Sequence, residues 1–84
     1  MLNKDKMIVQ VKYFGRIAEL TGKNQEAVDL VDANSTVLLQ LLNKQYPTLD
    51  TEVFHLAVDQ KLVNSEIGLN EQSEIALLPP FAGG

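Results

Sequence analysis

Apolar and polar residues alternate from Met7 to Tyr13, with Met7, Val9, Val11 and Tyr13 on one face and Gln10 and Lys12 on the other. A period of two is that of a half-buried strand. Phe14 to Leu20 suits a short helical turn that Gly22 would end, and Gln25 to Leu30 reads as a second strand with Val28 and Leu30 inward, so the pair makes a hairpin. The period then lengthens. Thr36, with Asn34 and Ser35 before it, is placed to cap a helix from Val37 to about Tyr46, and Pro47 marks its end. Val37, Leu38, Leu41 and Leu42 form an apolar stripe at helical spacing, which predicts a core-facing surface. Val53 to Asp59 and Lys61 to Val63 are two more extended segments, Ile67 to Leu69 adds a short one or a turn, and Glu74 to Leu78 is the final strand. The order is ββαβββ, which predicts an α+β fold, a mixed sheet covered on one face by one main helix. With Ile75 and Leu77 in the core, alternation places Ala76 and Leu78 on the opposite face, where Leu78 stays exposed unless something covers it.

The chain has 84 residues and is expected to form a single domain over 1–84, with residues 1–6 flexible and residues 79–84 a functional C-terminal tail. A chain this small buries only about 60 to 65% of the surface its unfolded form exposes, so a large enclosed active site has no room. At 45% hydrophobic and 21% charged residues it is expected to fold without a partner. No apolar run is long enough to span a bilayer, and Met1 to Lys6 lacks the apolar core of a signal peptide. The expectation is a cytoplasmic chain with no membrane partner.

The absence of cysteine excludes disulfides, thiolate zinc sites and thiol nucleophiles together. One histidine, His55, is present, and it is expected on a strand surface rather than in a metal site or catalytic triad. A net charge of −4 argues against nucleic acid and suits either simple solubility or a basic docking surface on a partner.

The segment Pro79-Pro80-Phe81-Ala82-Gly83-Gly84 then stands out. Both prolines lack a backbone N–H, and Pro79 biases Leu78 toward extended backbone, so the strand ladder should stop there. Beyond Leu78 the six remaining residues reach roughly 20 Å when extended, enough to enter a pocket on another protein. Without a Cβ, Gly83 and Gly84 can lie in a narrow channel and let a partner's backbone come close.

This tail, with Ile75-Ala76-Leu77-Leu78 before it, resembles the sulfur carrier subunits of molybdopterin synthase, a MoaD/ThiS-like, ubiquitin-related family whose members typically end in Pro-Pro-x-x-Gly-Gly. Val11-Lys12-Tyr13-Phe14-Gly15 and Ala18-Glu19-Leu20-Thr21-Gly22 resemble the family's first strand and helical turn. Ala57-Val58-Asp59-Gln60-Lys61-Leu62-Val63 is similar to its middle hairpin, so the likeness runs from about Met7 to Gly84. Ala18 stands where many relatives carry a basic residue, and Gln72-Ser73 where they carry Gly-Asp.

The resemblance implies a ubiquitin-like β-grasp fold with the last strand parallel to the first at the sheet centre. It also implies that Phe14, Leu62, Leu78 and Phe81, with Pro79 and Pro80, dock on the large catalytic subunit of the synthase, in an expected heterotetramer. In such families an ATP-dependent, ubiquitin-activating-type enzyme adenylates the terminal glycine, here Gly84. A sulfur donor protein then converts it to a thiocarboxylate, which attacks a cyclic pyranopterin monophosphate to build the molybdopterin dithiolene. On that reading the chain binds no cofactor or metal stably and is no enzyme on its own. Gly84 is the reacting residue, Gly83 provides clearance, and no general acid or base lies in these 84 residues. Two alternatives share the tail: a sulfur carrier for thiamin thiazole synthesis, and a ubiquitin-like modifier conjugated to lysines.

Overall fold

The computed structural model describes residues 7–80; the expectations for residues 1–6 and for Phe81, Gly83 and Gly84 lie outside the described residues. The chain order is strand β1 (Met7–Tyr13), helix α1 (Arg16–Thr21), strand β2 (Gln25–Leu30), helix α2 (Ser35–Gln45), a 3-10 helix (Pro47–Thr51), then strands β3 (His55–Val58), β4 (Lys61–Leu62) and β5 (Glu74–Leu78). The five strands form one mixed sheet in the order β2-β1-β5-β3-β4. β1 runs antiparallel to β2 and parallel to β5, and β3 is antiparallel to both β5 and β4. The last strand therefore lies beside the first at the middle of the sheet, the β-grasp arrangement.

Alternation decides which face is covered. Val9, Val11 and Tyr13 of β1, Val28 and Leu30 of β2, Leu56 and Val58 of β3, and Ile75 and Leu77 of β5 all turn inward. Leu38 and Leu42 from α2, Ile17 from α1, and Leu49 from the 3-10 helix close over them, with Val37 and Leu41 packed at the margin. Leu38 and Leu42 are both fully buried; cutting either to alanine would cost about 2 to 5 kcal/mol.

Several boundaries differ from expectation for local reasons. The cap of α2 is Asn34, not Thr36: the Asn34 Oδ1 accepts from the Val37 N–H at 2.9 Å, and the helix starts at Ser35. Ser35 has another task, since its hydroxyl accepts from the Ile67 N–H while its own N–H donates to the Ile67 carbonyl. Together with the Asn34–Gly68 bridge and the Leu69 N–H donating to the Ala33 carbonyl, this latches 67–69 against the start of α2. Pro47 ends α2 as expected but also opens the 3-10 helix, whose Leu49 enters the core. β3 begins at His55 rather than Val53, which is 71% exposed and outside any strand.

The inner face also holds one polar cluster. Glu26 shares its side of β2 with Val28 and Leu30, and its carboxylate accepts from the Tyr13 hydroxyl, from the Tyr46 hydroxyl at 2.8 Å and from the Lys23 ammonium at 3.0 Å. The Tyr13 and Tyr46 rings meet edge to face, with centroids 6.4 Å apart. Burial pushes the Glu26 pKa up, but the three donors outweigh it and hold the carboxyl below its ordinary value. Burial, and then the bond to Glu26, pushes the Tyr13 phenol well above its ordinary value.

Candidate functional site at the root of the C-terminal tail

The uncovered face of the sheet contains a groove of about 330 Å³. Its shape follows from strand register. Lys12 pairs with Ala76, Ala76 with Ala57, and Ala57 with Leu62, so one row across four strands carries two small side chains at its centre. The alanines make the floor. Phe14, Leu62 and Leu78 rise around it, with Lys12, Glu74 and Gln60 supplying polar groups at the margin. Phe14 is 45% exposed and Leu62 58%, large apolar side chains left uncovered in a small domain. Exposed apolar patches of this kind mark binding surfaces.

Of the six residues expected to dock, Phe14, Leu62 and Leu78 line this groove, Pro79 and Pro80 lie just past it, and Phe81 is beyond the described residues. Ala57 and Ala76 were not anticipated as its floor. The signal was their small size, but it becomes readable only once the pairing of β3 and β5 is known.

Three contacts hold the root of the tail. The Phe14 N–H donates to the Leu77 carbonyl at 3.1 Å, so pairing of β1 with β5 continues to the end of the strand. Next to it, Gly15 has φ 56° and ψ −130°, and a Cβ built there would stand 2.7 Å from Pro79 Cγ. Only a glycine accommodates both the positive φ and that close approach. On the opposite flank, the exposed His55 brings Nε2 to 3.1 Å from the Pro80 carbonyl oxygen. Gly15 and His55 are tail contacts that no sequence pattern marks: Gly15 falls in the run Val11 to Gly15 expected with the first strand, and His55 is expected on a strand surface.

The β3–β4 connection borders the same groove. Asp59 and Gln60 both take positive φ, 53° and 69°, the geometry of a two-residue hairpin turn. Asp59 is anchored to β5: its N–H donates to the Glu74 carbonyl at 2.8 Å, and its Oδ1 accepts from the Glu74 N–H at 2.9 Å. The turn before β5 is held by Ser73, whose hydroxyl accepts from the Asn70 N–H, and by Asn70, whose side chain accepts from the Gln72 N–H. Among the described residues there is no group of three or more acidic or histidine side chains placed to hold a metal ion, and no helix long and apolar enough to cross a membrane.

The model of the ThiS family matches residues 11–84, which takes in both the groove and the whole tail. The chain belongs to the ThiS family. A curated relative of this ThiS-family chain, the molybdopterin synthase sulfur carrier subunit of Caenorhabditis briggsae, is 35% identical over 81 residues, covering 90% of this chain and 96% of the relative. Among solved structures, the putative molybdopterin converting factor subunit 1 of Pyrococcus furiosus superposes with a TM-score of 0.80 at 25% identity, covering 88% of this chain and 98% of that one. A Helicobacter pylori structure, described as a complex of subunits 1 and 2 of molybdopterin-converting factor, includes a chain matching with a TM-score of 0.69 at 25% identity. The match covers 93% of this chain and 100% of that one. In this ThiS-family chain Ala18 is partly buried against the core, and Gln72-Ser73 closes the turn before β5 through side-chain hydrogen bonds.

Proposed function

We propose that this chain is the sulfur carrier subunit of a molybdopterin synthase and works in the cytoplasm. Its terminal Gly84 is the reacting residue. A free C-terminal carboxylate has a pKa near 3.5, so at neutral pH it is anionic and resists nucleophilic attack. An activating enzyme removes that obstacle: the Gly84 carboxylate attacks the α-phosphorus of ATP and pyrophosphate leaves. A donor protein then delivers sulfur at the sulfide level, which adds to the acyl carbon of the adenylate, and AMP leaves with the acyl–oxygen bond electrons, giving the thiocarboxylate. The large subunit takes up the tail, and the sulfur attacks a carbon of its bound cyclic pyranopterin monophosphate with displacement of oxygen; water then cleaves the acyl–sulfur bond, which leaves the sulfur on the pterin and returns the Gly84 carboxylate. Two such transfers complete the dithiolene.

In this scheme the chain contributes a nucleophile and its placement, while the charged groups that hold substrate belong to the large subunit. Phe14, Leu62 and Leu78 seat the carrier on that subunit, joined by Pro79, Pro80 and Phe81, and Gly83 gives the tail clearance in the channel. The observation that carries the reading is the position of the exposed apolar groove at the root of a Pro-Pro-x-x-Gly-Gly tail, within a family match that runs through Gly84.

The test is the intact mass of the chain purified from its own cells, with the C-terminal peptide sequenced by fragmentation. One oxygen replaced by sulfur at Gly84 is the expected result. A chain that gains no sulfur when incubated with ATP, an activating enzyme and a sulfur source, and is found instead joined to lysines of other proteins, would overturn it in favour of a modifier. Sulfur on Gly84 that passes only to a thiazole-forming enzyme would move the carrier to thiamin synthesis.

A further inference from the structure

We propose that His55 is a positioning residue that sets the direction in which the C-terminal tail leaves the sheet. The proposal rests on the carrier reading for its functional half and on the geometry alone for its structural half.

β5 is flanked by β1 and β3, and its last residue, Leu78, is paired with His55 at the first position of β3. Past Leu78 the ladder cannot continue in the ordinary way. Pro79 and Pro80 have no N–H to donate, so for these two residues only carbonyl oxygens remain to bind the neighbouring strand. A carbonyl oxygen can only accept, and the bond to Pro80 therefore requires a proton on Nε2 of His55. At 3.1 Å the imidazole supplies the donor that the backbone ladder no longer provides. It acts as a side-chain rung one step beyond the last backbone rung.

The opposite side of the same segment is fixed by shape. Gly15 lets Pro79 pack against the β1–α1 turn with no side chain between them. Pro79 is thus held by contact on the β1 side and Pro80 by a hydrogen bond on the β3 side. Two consecutive prolines transmit that orientation because their φ angles are fixed. The bond is solvent-exposed, so its removal should change orientation and rate modestly and leave the fold alone. His55 lies outside the apolar groove, and the docking affinity supplied by Phe14, Leu62 and Leu78 should be retained. The loss should fall on kcat rather than KM.

Two measurements decide it. In the isolated full chain, Cα–Hα residual dipolar couplings of Pro79 and Pro80, and the long-range nitrogen spectrum of His55, report tail direction and the Nε2–H tautomer without any partner. The wild type should show a proton on Nε2 and Pro80 couplings that fit the sheet's alignment frame. His55→Ala should scale the Pro80 couplings toward zero with the melting temperature unchanged, and His55→Gln, whose amide N–H₂ has similar reach, should restore them. In transfer from thiocarboxylated chain to the large subunit, His55→Ala should lower kcat about two- to tenfold with KM unchanged, and His55→Gln should recover most of it. Pro80 couplings unaffected by His55→Ala, or a deprotonated Nε2, would overturn the proposal. So would altered couplings accompanied by full kcat. Absence of transfer from the wild type itself, with the couplings behaving as expected, would count against the carrier reading and leave the structural half of the proposal standing.

Discussion

Gly15 and Pro79 touch so closely that the smallest side chain at position 15 would collide with the proline ring: its Cβ would lie 2.7 Å from Cγ. The same glycine has a positive φ of 56°. Gly15→Ala is therefore expected to cost about 1 to 3 kcal/mol in backbone strain and to push Pro79 outward. Chemical denaturation should show the lower stability, and weaker binding to the large subunit should accompany it. A variant as stable as wild type that binds normally would mean that the turn relaxes freely.

The groove exists because Ala57 and Ala76 meet at the centre of one cross-strand row. Ala76→Leu adds bulk on the uncovered face and leaves the core untouched. The expected outcome is an unchanged melting temperature and affinity for the large subunit reduced by about tenfold or more, the equivalent of about 1.4 kcal/mol. Isothermal titration calorimetry checks it.

Gly83→Val should leave the fold intact, since the last strand ends at Leu78. It should also abolish sulfur transfer, because a β-branched side chain restricts the backbone and fills the space a narrow channel needs. Circular dichroism combined with a transfer assay separates the two effects. Normal transfer by this variant would remove the reason for a glycine there.

The Glu26 cluster makes a pH-dependent contribution to stability. Hydrogen bonds from Tyr13, Tyr46 and Lys23 prevail over burial and lower the Glu26 pKa in the folded chain. The unfolded value is near 4.3, so the stabilisation is complete above that pH and is lost as pH falls through the lower, folded value. Glu26→Gln should cost about 1 to 3 kcal/mol at pH 7, and the gap to wild type should narrow below pH 4. Urea unfolding at a series of pH values measures it. A gap that stays constant with pH would place the loss in packing rather than charge.

Gln60 takes a φ of 69°, a region that costs a residue with a Cβ about 1 to 2 kcal/mol. Gln60→Gly relieves it at some cost in unfolded-chain entropy. The expected net gain is about 0.5 to 1 kcal/mol, read as a higher denaturant midpoint with unchanged slope.

What could be read from the chain alone was whatever depends on short-range periodicity. β1 and β5 alternate strictly, so their inward residues and the outward placement of Ala76 and Leu78 were legible. The start of α2 was not, because Asn34, Ser35 and Thr36 are all capable caps, and the choice was made by Ile67, far along the chain, which takes up Ser35. Pro47 announced a stop, but nothing periodic announced that the following turn would bury Leu49. Nothing in the local pattern singles out Glu26, whose partner Tyr46 is brought across from the end of α2. For the site, the chemistry proposed for the tail rests on six consecutive residues that the chain alone displays, while the supports of the tail were invisible. Gly15 and His55 reach Pro79 and Pro80 only through pairing of β1 and β3 with β5, and no local pattern encodes that register.

The placement of β5 between β1 and β3 also has a mechanical meaning. A pull applied to the C-terminus loads two ladders of hydrogen bonds in shear, one parallel and one antiparallel, so many must yield together. A tail attached to an edge strand would peel bond by bond at low force. On the carrier role proposed above, the chain can thus be held by its tip and withdrawn from a partner without unravelling the body behind it.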